Sequence, residues 1–243
     1  MSASERRLYL IRHAHALRRS SEEATTPLGR VADPPLDDLG TEQAAVLARR
    51  LSKIRPPAAV FVSPLRRARQ TIAPYEAASG VSATVVEDLA EWYGGEWEFK
   101  DFEEMLLLHP EIPGRILRQD PVFFLAPGSE TQEALRARAV NAIETILEAN
   151  PDGDIWAVCH GGIINGYVGH VLGIQEQEMF FLPPNTSLNT IRVRGRDRHV
   201  WFLADDTHLT QPDLFDDAMH PPAYTPAAPE TKEPARGREV PLA

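Results

Sequence analysis

Cysteine is all but absent from this 243-residue chain. Cys159 stands alone, which excludes an internal disulfide framework and fits a reducing compartment. It lies in an apolar strand-like run, where it reads as buried filler rather than a reactive thiol. Long apolar runs are missing too. Only Leu8 to Ile11 follow the polar start Met1–Arg7, too short for a signal peptide, and no stretch approaches membrane-spanning length. A soluble, cytoplasmic protein is expected. Basic excess is also lacking, since 25 Lys and Arg against 35 Asp and Glu leave a net charge of −10. Nucleic acid and anionic membranes need a basic face, so neither is an expected partner. A small anionic substrate is not excluded, because a few arginines make a positive pocket on an acidic body. A homodimer is left open.

What is present is an ordinary globular composition, 43% hydrophobic and 25% charged, with a distinctive order. Three short apolar runs read as buried strands, and each ends on polar chemistry. Leu8–Ile11 leads to Arg12-His13, Ala58–Val62 to Ser63-Pro64, and Ile155–Cys159 to His160-Gly161-Gly162. Helical patterns lie between them. Thr41 is placed to cap a helix with Ala44, Leu47, Ala48 and Leu51 on one face. Ser63-Pro64 reads as an N-cap and first helical position before Leu65, Ala68 and Ile72. Ser129-Glu130-Thr131-Gln132 reads as a capping box before Leu135, Ala139, Ala142, Ile143 and Ile146.

Strands alternating with helices predict an α/β fold: three α/β/α layers around a mostly parallel sheet. Leu188–Val193 and His199–Leu203 read as a hairpin that adds one antiparallel edge strand. Residues 90–128 break the rhythm with crowded aromatics (Trp92, Tyr93, Trp97, Phe99, Phe102) and then prolines, and read as a lid inserted over the crevice. Residues 1–206 would form the domain. Residues 207–243, with seven of the 21 prolines, would form an extended tail.

In a parallel sheet ligands bind off the carboxyl ends of the strands, where all three polar endings would meet. Phosphoryl transfer to a side chain needs a nucleophile in line with phosphorus, donors for the equatorial oxygens and an acid for the leaving oxygen. His13 is placed as the nucleophile, with neighbouring arginines favouring its neutral form. Arg12 offers a fork of donors. Arg66 and Arg67 occupy the first turn of a helix, but neighbouring helical positions point about 100° apart, so one of them is expected in the site. The small residues after His160 let backbone amides approach an anion. His15 makes a His-x-His spacing that also occurs in metal hydrolases, but such sites need further His or Asp ligands on later strands, and the later strand ends offer Ser63-Pro64 and one histidine. His109, His170, His199, His208 and His220 read as surface or packing residues.

Five ordered blocks carry a resemblance. They are Leu10-Ile11-Arg12-His13-Ala14, the stretch Pro35 to Ala44, Ser63 to Thr71, Leu89 to Glu98, and Val158-Cys159-His160-Gly161-Gly162. Over roughly residues 7–205 the chain resembles the histidine phosphatase superfamily, the phosphoglycerate-mutase-like fold. The resemblance implies a phosphomonoester hydrolase acting on a small phosphorylated metabolite through a phosphohistidine. It implies His13 as the residue phosphorylated, Glu91 as general acid and then base, and His160 at the reacting centre. Arg12, Arg67, His160 and Gly161 would bind the phosphate, with no metal or other cofactor. The family's glycine after the histidine is Ala14 here. The mutase branch carries a polar residue, typically Asn, a few positions later, where this chain has His15-Ala16-Leu17-Arg18-Arg19. Arg18 and Arg19 are the residues in place to substitute for it. A phosphoglycerate mutase and a non-catalytic phospho-ligand binder on the same fold are the alternatives. The acidic residues of 87–104 read mainly as a solvated face, and the aromatics mainly as the lid's own core.

Overall fold

The computed structural model describes residues 5–17, 32–98, 100, 102–118, 125–174 and 179–211. Six strands form one sheet: β1 (Arg6–Arg12), β2 (Ala59–Val62), β3 (Thr84–Val85), β4 (Ile155–Cys159), β5 (Leu188–Arg194) and β6 (Asp197–Asp205). Their spatial order is β3-β2-β4-β1-β5-β6. The pairs β1–β4, β2–β4 and β2–β3 are parallel, whereas β1–β5 and β5–β6 are antiparallel. The expected hairpin is therefore present, but its reversed strand β5 sits one place inside the edge and β6 is outermost.

Period-two side-chain alternation explains why the central strands are apolar throughout. Tyr9 and Ile11 of β1 and Trp156 and Val158 of β4 point to one face, where they meet Leu47, Leu51, Ala68 and Ile72. Those four belong to α1 (Asp38–Lys53) and α2 (Arg66–Ser79). Leu8, Leu10, Ile155, Ala157 and Cys159 point to the other face, against Leu135, Ala139, Ile143, Ile163 and Tyr167. These come from α5 (Gln132–Ala149) and α6 (Gly161–Leu172). Burial on both faces makes the sheet the centre of three layers. Cys159 is fully buried, and burial pushes its thiol far above the usual thiol range.

Three expected caps move. The N-cap of α1 is Asp37, whose carboxylate accepts from the Gly40 amide; Thr41 is already inside the helix and donates back to the Asp37 carbonyl. Helix α2 starts at Arg66 after Leu65, so Ser63 caps nothing and its hydroxyl turns to His160 instead. Helix α5 is capped by Thr131 rather than Ser129, through the Ala134 amide.

The 90–128 segment holds no strand among the described residues. It carries two short helices, α3 (Phe102–Leu108) and α4 (Ile112–Arg118). Trp97, Ile112 and Ala126 form its own small buried cluster, while Trp92 packs on the main core. Phe99 and residues 119–124 lie outside the described residues. Glu87, Asp88, Glu96, Glu103 and Glu104 are exposed, as a solvated face requires, but Glu98 is fully buried. Its carboxylate accepts from the amides of Gly94 and Ala32 at 2.6 and 2.8 Å, fastening the segment to the body.

The expected tail was drawn from residue 207. Thr207–Thr210 instead form a helical turn, α7, whose His208 is buried; residues 212–243 lie outside the described residues. Among the described residues no helix is long and apolar enough to cross a membrane.

Candidate active site

The parallel strands β1, β2 and β4 all deliver their carboxyl ends to one edge of the sheet. Ladder hydrogen bonds continue one residue past each end: the His13 amide donates to the Cys159 carbonyl at 3.0 Å and the Ser63 amide to the Val158 carbonyl at 2.9 Å. His13 and His160 therefore leave adjacent strands side by side, with ring centroids 5.0 Å apart.

The hydrogen bonds around the two imidazoles settle what each nitrogen can do. Nδ1 of His13 lies 2.6 Å from the Ala14 carbonyl oxygen, which can only accept. The ring proton therefore sits on Nδ1, and Nε2 carries the lone pair of a nucleophile. His160 is fully buried, with Nε2 2.7 Å from the Ser63 hydroxyl oxygen. That oxygen also accepts the Leu65 amide at 3.3 Å, and among the described residues His160 Nε2 is the acceptor in reach of its own proton, which assigns the imidazole proton to Nδ1. Burial holds the His160 pKa well below its ordinary value, reinforced by the charge of Arg67 and by His13 and Arg12. His160 is thus a neutral donor.

Arg12 turns its guanidinium back over the strand end, where Nη1 donates to the Pro183 carbonyl at 2.5 Å. Burial lowers its pKa, opposed by the negative charge of Glu91. Two buried nitrogens at this edge, Arg12 Nε and His160 Nδ1, lack a hydrogen-bond partner among the described residues. A buried donor without a partner costs about 1–3 kcal/mol, and more when charged. Two donors of this kind at one strand edge have the chemistry of an oxyanion site.

The first turn of α2 separates its two arginines as the helical spacing requires. Arg67 is 5% exposed and its Nη1 donates to the Ala32 carbonyl at 3.1 Å, whereas Arg66 faces solvent. The Ala32 peptide thus lies between Glu98 and Arg67. The Arg66 amide donates to the buried carboxylate of Asp33 at 2.6 Å. Burial pushes that carboxyl's pKa up, against this hydrogen bond and the charge of Arg67.

Glu91 approaches from the other face, beside the amino end of α6. Its Oε1 accepts from the amides of Trp92 and Gly162 at 2.8 and 3.1 Å. A Cβ on residue 162 would collide with that oxygen and push the Glu91 carboxylate from its place, whereas a Cβ at Gly161 would meet only ordinary contacts. Arg138 holds the loop in place through the carbonyls of Asp88 and Ala90, both at 2.8 Å, and through both oxygens of Glu130.

Several supports escaped the sequence reading. Thr71 accepts from the Ala14 amide at 2.8 Å and donates to the Arg67 carbonyl at 2.6 Å, which ties the His13 loop to the helix carrying Arg67. Its place one turn after Arg67 was the available signal. Gln43 takes the His15 amide at 2.8 Å. A Cβ on Gly40 would clash with the His15 carbonyl, so the start of α1 abuts the same loop. The Asn185 amide nitrogen donates to the His13 carbonyl at 2.9 Å. Asn185 lies in a segment with no periodic pattern to mark it.

The structure therefore brings Arg12, His13, Arg67, Glu91, His160 and Gly161 to one sheet edge. His15 is placed apart: its half-exposed ring contacts Asp37, with Nδ1 2.5 Å from Oδ2. Arg18 and Arg19 lie outside the described residues. Among the described residues no group of three or more His, Cys, Asp or Glu is arranged to hold a metal ion.

Comparison with known proteins bears on the family and the fold. The chain is 26% identical over 197 residues to the metal-independent phosphoserine phosphatase of Arabidopsis thaliana, covering 79% of this chain and 81% of that one. Among solved structures, YhfR of Bacillus stearothermophilus superimposes with a TM-score of 0.71 at 24% identity, covering 83% of this chain and 98% of that chain. A phosphoglycerate mutase of Bacillus anthracis does so with a TM-score of 0.69 at 20% identity, covering 87% and 98% respectively. These two structures share the fold. The model of the histidine phosphatase superfamily (branch 1) matches residues 8–206, and the chain belongs to that superfamily.

Proposed function

We propose that this phosphatase hydrolyses small phosphomonoesters through a phosphohistidine at His13, without a metal ion. The observation that carries the reading is the hydrogen bond from His13 Nδ1 to the Ala14 carbonyl, which leaves Nε2 as the attacking atom beside the buried donors of Arg12 and His160. In the first step Nε2 forms a bond to phosphorus and the ester oxygen leaves with a proton from Glu91. Arg12, Arg67, His160 and the amino end of α6 at Gly161 take up the charge on the equatorial oxygens. In the second step water attacks phosphorus, Glu91 accepts its proton, and the N–P bond breaks to release phosphate and restore neutral His13. The neutral state of His160 suits this role, because a donor that carries no charge leaves the arginines to balance the dianion. Phosphoserine is the first substrate to try, on the strength of the relative named for it.

A panel of phosphomonoesters, with phosphoserine and 3-phosphoglycerate among them, assayed in excess chelator tests the reading. Phosphate release is expected. Isomerisation of phosphoglycerate without release would point to a mutase, and no turnover of any ester would point to a binding protein.

The two arginines of α2 should behave differently. Arg67→Ala is expected to lose on the order of a hundredfold or more in kcat/KM, and Arg66→Ala no more than a few-fold. The reverse ranking would place the wrong arginine in the site.

Glu91 should matter in proportion to the leaving group's need for a proton. An alkyl alkoxide (pKa about 15–16) needs one, whereas p-nitrophenolate (pKa about 7) scarcely does. Glu91→Gln should slow alkyl phosphate hydrolysis by roughly a hundredfold or more, and slow the burst of phosphoenzyme formation from p-nitrophenyl phosphate far less. Equal losses in the two burst rates would make Glu91 a scaffold rather than the proton donor.

A further inference from the structure

We propose that His208, from the helical turn after the last strand, is a positioning residue for the His13 nucleophile, acting through Thr186; this rests on the reading of His13 given above. The backbone of Arg12 and His13 is held from one side by residues 185–187. The Arg12 amide donates to the Ser187 carbonyl at 3.2 Å, and the Thr186 amide donates to the carbonyls of Arg12 and His13 at 3.0 and 3.3 Å. Asn185 adds its own bond to the His13 carbonyl. Thr186 can do this only in an unfavourable conformation. Its φ is 60°, and among the described residues the other non-glycine residue with positive φ is Ala204, at 57°. A β-branched residue rarely adopts this region, and such strain persists only where the surroundings impose it.

The two strained residues flank one corner. Leu188 of β5 pairs with Asp205 of β6, so the start of β5 and the end of β6 meet at the same sheet edge as His13. Thr186 turns the chain into β5, and Ala204 directs it toward α7 (Thr207–Thr210). There His208 is 1% exposed, with Nε2 3.0 Å from Thr186 Oγ1. The Thr186 hydroxyl spends its single proton on the Asn185 carbonyl at 2.7 Å, so the imidazole is the donor and its proton lies on Nε2. His208 thus clamps the strained threonine whose amide holds the nucleophile's backbone.

Filling space alone does not account for a histidine here. Among the described residues its Nδ1 is buried without a partner, a cost that a leucine of similar size would avoid. Burial and the charge of Arg50 push its pKa down to about 4, against Asp205 and Asp206, so the ring remains a neutral donor at working pH. Asp205 is itself held by Arg50 at 3.1 Å and accepts from the amide and hydroxyl of Thr207 at 3.2 and 2.7 Å, which keeps α7 in place.

The full-length chain carrying His208→Leu or His208→Gln tests the proposal, because glutamine keeps an N–H donor where Nε2 lies and leucine does not. Burst kinetics with p-nitrophenyl phosphate give the phosphorylation rate, with burst amplitude counting competent sites, alongside KM and the unfolding midpoint. His208→Leu is expected to slow phosphorylation per competent site by about tenfold or more with KM changed less than about twofold, and His208→Gln to recover most of that rate. A wild-type burst rate in His208→Leu, whatever its melting point, would overturn the proposal, as would a glutamine variant no better than leucine. Should His208→Leu fail to fold, Thr186→Val removes the clamped hydroxyl while keeping the branched shape, and an unchanged burst rate there would overturn it equally. Absence of any phosphoenzyme in the unaltered chain would be a failure of the His13 reading instead.

Discussion

The parallel pairing of β1 with β4 is the constraint on which the site depends. Its last ladder bond, from the His13 amide to the Cys159 carbonyl, brings two chain segments nearly 150 residues apart to adjacent strand ends and sets their imidazoles 5.0 Å apart. The strands are buried on both faces, so a one-residue slip would exchange Tyr9 and Ile11 with Leu8 and Leu10 between two differently shaped helix layers. Register is thereby specified by the whole core. The histidine pair inherits that rigidity, and residues 185–187 and Thr71 add further bonds to the backbone around His13.

Electrostatics then divides the labour between two chemically identical side chains. His13 has its Nδ1 proton fixed by a backbone carbonyl, and His160 has its Nε2 occupied by a serine hydroxyl. One ring therefore presents a lone pair and the other an N–H toward the same edge. Burial and the nearby arginines keep His160 neutral. The same arrangement makes the site costly: Arg67 and His160 are held out of water, Arg12 is partly buried, and Arg12 Nε and His160 Nδ1 lack partners among the described residues. Such a cost is typical where binding an anion, rather than stability, has selected the residues.

Much of this was legible in the sequence because strand ends and helix starts carry strong local signals. The apolar runs before Arg12 and His160 could only be short buried strands, and the 100° step between neighbouring helical residues already separated Arg66 from Arg67. What escaped were roles created by tertiary contact. Ser63 has the sequence of a cap, yet its hydroxyl serves His160 from the adjacent strand end. Glu130 sits in an apparent capping box but pairs with Arg138, one side of the clamp on the Glu91 loop. Glu98 looks like one more member of an acidic surface and is instead fully buried, because its carboxylate takes the amide of Ala32, distant in the chain, together with that of Gly94 four residues before it. His208 lay past the expected domain boundary, where the proline-rich composition that follows masked a single helical turn. No periodicity reports a hydrogen bond between residues that meet only after the sheet has formed.

The central claim is that His13 Nε2 bonds to phosphorus, and the most direct measurement is a rapid-quench labelling experiment under neutral or basic quench. Protein mixed with a labelled phosphomonoester and stopped within the first turnover should carry phosphate in a bond that is labile to acid and stable to base. That label should vanish in His13→Ala. Label persisting in His13→Ala, a bond stable to acid, or phosphate release from unaltered protein that never becomes labelled would contradict a phosphohistidine at His13.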